Sequence, residues 1–264
     1  KIDGQNFRLY EPDNDPHPIW FESLGSKGGV RKTRSRRQNN YKARVDKILG
    51  NLEEFHTSFY ELNVFTGPSL FFHRKALSAA NSDDLELFHE RIYATLVSWG
   101  MHRMGKKGAK MAGFEPFSAS VGALQDEIEV ARNINIQDVR ESDWYVLERI
   151  FKNIRVMATG GSLVGNSKVM APLLPHIIPP IDRAYTLTYL QGHTNIQNGL
   201  DYEWSLMKEI ISDFFFPIAK NDAFVRLSAD WIKKQDKYPW DTSPLKIIDN
   251  LVIAAVGLEA NSAV

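Results

Sequence analysis

The stretch Ser162-Leu-Val-Gly-Asn-Ser-Lys-Val-Met-Ala-Pro-Leu-Leu-Pro-His-Ile-Ile-Pro-Pro-Ile-Asp-Arg-Ala-Tyr185 decides how this chain is read. Gly165-Asn166 is turn chemistry, so a short helix is expected from about Ser167 to Leu174. Pro175 to Pro180 makes a rigid, extended segment, and Asp182 can start a helix reaching about Gln191. Upstream, from about Asp143 to Met157, Trp144, Leu147, Ile150, Phe151 and Ile154 recur at helical spacing. The order is therefore helix, glycine turn, helix, proline loop, helix.

The same periodicity extends in both directions. Val45, Ile48, Leu49, Leu52, Phe55 and Phe59 predict helix over about 38–62, and a short helix follows that ends near Ala80. Asn81-Ser82-Asp83-Asp84 can cap a helix from Asp83 to about Trp99. Further helices are expected over about 117–133, 202–218 and 223–234. Thr242-Ser243-Pro244 opens a last one, with proline at the first helical position, where a missing N–H is harmless. No run alternates as a half-buried strand would. The expected fold is all-α: a single domain over 1–264, one mainly helical globule of about ten helices in one or two lobes. An irregular, partly basic arm over 1–37 would precede a helical body over 38–264.

Composition excludes several function classes. The 264 residues are 43% hydrophobic and 24% charged, ordinary values for a globular chain. With no cysteine, disulfides, thiolate zinc sites, iron–sulfur clusters and thiol nucleophiles are ruled out. No apolar stretch approaches the length of a membrane span, and a cytoplasmic location without membrane association is expected. Walker-type and Gly-x-Ser-x-Gly runs are missing. His73 and His102 have no fixed spacing to other ligands, and Glu86, His89 and Glu90 read as a solvated helix face. Neither a metal nor a cofactor is expected.

Lys+Arg and Asp+Glu balance at 32 each, but the charges are segregated. From Lys27 to Lys47 there are nine basic residues, among them Arg31, Lys32, Arg34, Arg36 and Arg37, against the single acid Asp46. A second cluster holds Arg103, Lys106, Lys107 and Lys110. Such stripes can hold a polyanion on a neutral protein; the plainer reading is a solvated arm and loop. A turn at Gly165 would leave the amides of Asn166, Ser167 and Lys168 free at a helix N-terminus, a site for one phosphate.

Taken together, Gly165, Lys168 and Asp182 after Pro179-Pro180-Ile181 resemble the helix-hairpin-helix DNA glycosylases of base excision repair. In that family a glycine hairpin holds the DNA backbone, a lysine, where present, begins the hairpin's second helix, and an aspartate downstream assists base removal. The likeness covers about 30 residues in an all-helical setting and implies a helix-hairpin-helix element near 143–175. Two departures stand out: the turn has one glycine where the family usually has two, and the interval from Lys168 to Asp182 is shorter.

The resemblance implies a hydrolase that removes a damaged or modified base from double-stranded DNA after flipping it out of the stack. An ionised Asp182 would stabilise the sugar cation or activate water, and Lys168 could attack the sugar as an amine nucleophile. Gly165, Asn166, Ser167, Arg31, Lys32, Arg34, Arg36, Arg37, Lys106 and Lys107 would contact DNA. Phe72, His73, Trp99, His102 and Tyr185 would be the candidates for the base pocket. Each has a structural alternative: Asp182 as a helix cap, Lys168 as a surface or phosphate-contacting lysine, Trp99 as core on the Leu85–Leu96 face. A non-catalytic DNA- or RNA-binding helix-hairpin-helix module and a purely helical interaction protein are the rival functions. Asp249-Asn250 reads as a buried polar pair or cap partner with no functional account.

Overall fold

Apolar residues at three- and four-residue spacing become helices along the chain. The computed structural model describes residues 40–62, 65, 67–80, 84–102 and 110–262. The five basic residues between Arg31 and Arg37, together with Lys106 and Lys107, lie outside the described residues. In order, the helices are α1 (40–50), α2 (Leu52–Leu62), α3 (Pro68–Ala79), α4 (Leu85–Ser98), α5 (Phe114–Gly122), α6 (Gln125–Arg132), α7 (Glu141–Asn153) and α8 (Leu163–Leu173). Then come a π-helical turn at Arg183–Leu187 that runs into α9 (Thr188–Gln191), α10 (Leu200–Ile210), a second π turn at Ile211–Phe215, α11 (Phe216–Ala219), α12 (Asp222–Lys233) and α13 (Pro244–Ser262). No strand is present among the described residues; one isolated antiparallel bridge joins Met111 and Met157. The fold is all-α, and from Tyr41 onward the chain packs as one compact unit.

α13 is the central element. Leu245, Ile247, Ile248, Leu251, Val252 and Ala254 are all buried, and the helix packs on α2, whose Leu52, Phe55 and Phe59 are buried with it. Removing each such side chain from water contributes about 1.5–3 kcal/mol, which outweighs any local helix preference. α3 and α4 form a close pair, and α4 also packs on α5 and α8; α7 packs on α6, α8 and α10.

Several boundaries differ from the sequence expectation for local reasons. The helix expected over 117–133 is two helices, parted at Ala123 and Leu124. α7 stops at Asn153 instead of reaching Met157, because Ile154 turns extended (φ −66°, ψ 129°) and the chain beyond it joins the Met111 bridge, with Ala112 N–H donating to Val156 O at 2.9 Å. Residues 154–162 then connect α7 to α8. The stretch expected over 202–218 is helical, but with a π turn in the middle. Asp84 caps α4 as its residue type suggests, accepting from Leu87 N–H at 2.9 Å.

Candidate active site

The glycine turn expected at Gly165 is not a turn. α8 begins at Leu163, and Asn166 N–H already bonds Ser162 O at 2.8 Å. The first amide of the helix is that of Leu163, and Glu203 Oε2 takes it at 2.6 Å, while Glu203 Oε1 accepts from Gly199 N–H at 3.1 Å. One buried carboxylate thus caps both α8 and α10, placing a negative charge at the α8 start where an anion was expected.

The residues assigned there to DNA do other work. A Cβ on Gly165 would lie 2.8 Å from Met157 Cγ and 2.9 Å from Val156 Cγ1, so glycine permits α8 to press against the segment leaving α7. Asn166 is buried and donates from Nδ2 to Phe151 O at 2.7 Å. Ser167, fully buried, accepts Ile181 N–H on Oγ at 3.1 Å. All three face protein, and that burial removes them as backbone-phosphate contacts.

Their joint effect is to fix the proline loop against α8. The Ser167–Ile181 bond brings the next residue on each side together: Lys168 Nζ lies 2.6 Å from Asp182 Oδ2. Asp182 also acts as the expected cap, but with its other oxygen, Oδ1 accepting Ala184 N–H at 2.7 Å. Its own N–H donates to Thr186 Oγ1 at 3.1 Å and its carbonyl accepts Leu187 N–H at 3.0 Å, the i→i+5 pattern of a π turn. π turns interrupt helices at many functional sites; here the turn holds Asp182 at the start of its helix with the side chain still 29% exposed. Burial alone would raise the Asp182 pKa. The Lys168 ammonium and the amides of Ala184 and Tyr185 outweigh it and hold the carboxyl below the usual carboxylate range.

The Lys168–Asp182 pair opens on a cavity of about 450 Å³. Phe65, Trp99, Tyr185 and Trp240 supply its aromatic wall, and Ser69, Ser98, Lys246 and Asp249 add polar groups. The Lys168 ammonium sits 5.3 Å from the centre of the Trp99 ring. The hollow combines four aromatic side chains with convergent charged and hydroxyl groups, a lining that can both stack and orient a small molecule. Of the residues expected in a base pocket, Trp99 and Tyr185 line this cavity. His73 stands just behind it, buried, its ring 5.1 Å from Trp240 and 5.9 Å from Trp99, with Nε2 3.1 Å from Thr242 Oγ1. Burial, with Lys246 nearby, pushes the His73 pKa down to about 3. Phe72 packs edge-on against Phe71 and His102 holds Val97 O through Nδ1 at 2.8 Å on the exposed side; neither lines the cavity.

No family model matches this chain, and neither does any curated protein or any solved structure. The site must therefore be argued from its own chemistry.

That chemistry includes residues the sequence reading did not assign. Lys246, Asp249 and Asn250 stand at i, i+3 and i+4 on the otherwise apolar α13. Lys246 Nζ donates to Asp249 Oδ2 at 2.9 Å and, in a short contact, to Asn250 Oδ1. Its ammonium lies 5.1 Å from the Trp240 ring centre. Asn250 Nδ2 continues to Asp241 Oδ1 at 3.1 Å, and Asp241 Oδ2 lies 2.7 Å from His56 Nε2. The His56 ring stacks on Trp231 at 3.9 Å. The signal was present as three polar residues at helical spacing inside an apolar run. Among the described residues no cluster of three His, Asp or Glu side chains is placed to hold a metal ion, and no helix is long and apolar enough to cross a membrane.

Proposed function

We propose that this protein is a DNA glycosylase: a cytoplasmic hydrolase that breaks the N-glycosidic bond of a damaged or modified base flipped out of duplex DNA. The observation that carries the reading is the position of Asp182. Its carboxylate gives one oxygen to a helix cap and one to Lys168, yet still borders a cavity of about 450 Å³ walled by Trp99, Tyr185, Trp240 and Phe65. Rupture of a glycosidic bond develops positive charge at the sugar, and an ionised carboxylate nearby stabilises it or takes a proton from the attacking water. The lowered pKa of Asp182 keeps that carboxylate ionised. Aromatic faces suit the stacking of an extruded base.

Lys168 first serves to hold Asp182 in place and charged. As an amine nucleophile toward the sugar carbon, with its proton given up to solvent, Lys168 would add a lyase step. The likeness to helix-hairpin-helix glycosylases rests on Lys168 and Asp182 alone, since Gly165, Asn166 and Ser167 are buried in α8. Contact with the DNA backbone would fall to the two basic clusters and to a second, open groove of about 770 Å³ along α3, lined in part by Phe71, Arg74 and Lys75.

The test is a panel of duplexes, each holding one altered base, scored for abasic sites by alkaline strand cleavage. Wild-type protein is expected to release at least one base, and Asp182→Asn to lose that release. Equal behaviour of the two proteins on every substrate would remove the catalyst from the proposal. Salt-sensitive DNA binding without any release would point to the binding module instead.

A further inference from the structure

A neutral nucleobase is a poor leaving group, because cleavage of its bond to the sugar leaves negative charge on the ring nitrogen. A base already alkylated on the ring carries a positive charge and departs neutral. An enzyme acting on the first kind needs a proton donor in addition to the group that stabilises the sugar cation.

The cavity holds a second carboxyl group suited to that task. Asp249 borders the same hollow as Asp182 but comes from a different element, the second turn of α13. It is 5% exposed, and its carboxyl accepts a hydrogen bond from Lys246 Nζ, at 2.9 Å on Oδ2. The two aspartates therefore have different surroundings: Asp182, 29% exposed, meets an ammonium and backbone amides, whereas Asp249 is almost wholly buried and hydrogen-bonded to an ammonium alone.

We propose that Asp249 is the general acid of this cavity, giving its proton to the departing base, and that the substrate is a neutral base and not a cationic alkylated one. This rests on the glycosylase reading and names its substrate class. The charged and titratable groups facing Asp249 are Lys246 on its own helix, Lys168 from α8, and Asp182 and Tyr185 from the loop and π turn. Lys246 and Lys168 favour its ionised form. Burial and the negative charge of Asp182 oppose them and prevail, raising Asp249 above the usual carboxylate range. Two carboxyl groups whose surroundings push them apart in this way divide into an acid and a base.

The step balances. The C1′–N bond breaks with its electron pair on the base nitrogen, which takes the proton of Asp249. The oxygen of water bonds C1′, and the water's proton passes to Asp182. Solvent then returns Asp182 to its ionised form and Asp249 to its protonated one.

The experiment compares two otherwise identical duplexes, one containing hypoxanthine and one containing 7-methylguanine, with wild type, Asp249→Asn, Asp249→Glu and Asp182→Asn. Asp249→Asn keeps an oxygen for Lys246 and is expected to lose roughly 100-fold or more on hypoxanthine and only a few-fold on 7-methylguanine; Asp249→Glu recovers part of the loss. Asp182→Asn lowers both. Wild-type release of hypoxanthine should also decline toward alkaline pH, with the decline absent for 7-methylguanine. Equal losses on the two substrates in Asp249→Asn, or release of the methylated base alone, overturns the inference while leaving the glycosylase reading in place. If wild type releases neither base, the substrate class named here is wrong, and the Asp249 proton is measured directly by infrared difference spectroscopy of wild type against Asp249→Asn. An ionised Asp249 at neutral pH then overturns the assignment.

Discussion

The Lys168 ammonium lies 2.6 Å from Asp182 Oδ2 and 5.3 Å from the centre of the Trp99 ring. A single cation therefore joins the carboxylate to the aromatic wall of the cavity. Its loss should change the acidity of Asp182 more than the shape of the site. In Lys168→Gln, the Asp182 pKa rises toward the value burial alone would impose. The acid limb of the kcat/KM–pH profile for base release should move to higher pH, with activity recovered in part on the alkaline side. Trapping of a covalent DNA adduct by borohydride, if wild type forms one, should vanish in this variant.

Ser167→Ala tests the hinge of the site. It removes the acceptor for the buried Ile181 N–H, and an unsatisfied buried donor costs about 1–3 kcal/mol. Denaturant unfolding should show a loss of that size. Because the same bond aligns Lys168 with Asp182, kcat should fall further than the loss of folded protein explains.

Gly165→Ala tests the contact between α8 and the segment before it. The added Cβ would stand 2.8 Å from Met157 Cγ and 2.9 Å from Val156 Cγ1. Overpacking of this kind destabilises by about 1–3 kcal/mol, and thermal unfolding should show a lowered midpoint.

His73, His89 and His176 are all held neutral, in each case first by burial. A depressed folded-state pKa contributes stability that is complete above the unfolded value near 6.5 and is lost as pH falls below it. Stability should therefore decline from about pH 6.5 downward, by up to about 1.4 kcal/mol per pH unit for each histidine. The decline continues to about pH 3 for His73, whose folded value is about 3. Denaturation midpoints measured between pH 7 and 4 would register it, and His73→Gln should give a shallower slope.

Arg74 and Lys75 are exposed on α3 and line the open groove along that helix. Neither has an acidic partner among the described residues. If this groove carries the DNA backbone, Arg74→Glu with Lys75→Glu should weaken binding at low salt and reduce the slope of log K against log salt by about 1–2. Fluorescence anisotropy over a salt series measures both.

The helices were legible because apolar spacing, capping residues and prolines agree along most of the chain. Their ends were not legible where a tertiary contact decided them. Ile154 leaves α7 for the Met111 bridge, and Glu203, distant in sequence, starts α8 earlier than Gly165 and Asn166 suggested. For the same reason the importance of the Gly165–Ser167 stretch could be read while its role could not: turn-forming residue types also suit close helix contacts. Lys168 and Asp182 could be singled out from residue type and order, although only the Ser167–Ile181 bond reveals why they meet. Asp249 and Asn250 could be read as a buried polar pair but given no function, and Lys246 went unassigned, because isolated polar residues at helical spacing in an apolar helix have many structural explanations. The cavity that gives theirs a meaning is assembled from five separate stretches of chain.

Glu203 holds one of those stretches in place. By taking the Leu163 amide with one oxygen and the Gly199 amide with the other, it ties the beginnings of two helices into one cooperative unit. Fraying at the start of α10 would release the start of α8 as well, and the lysine one and a half turns further along would lose its mooring. The chemistry of the cavity is thus anchored by a side chain that never touches it.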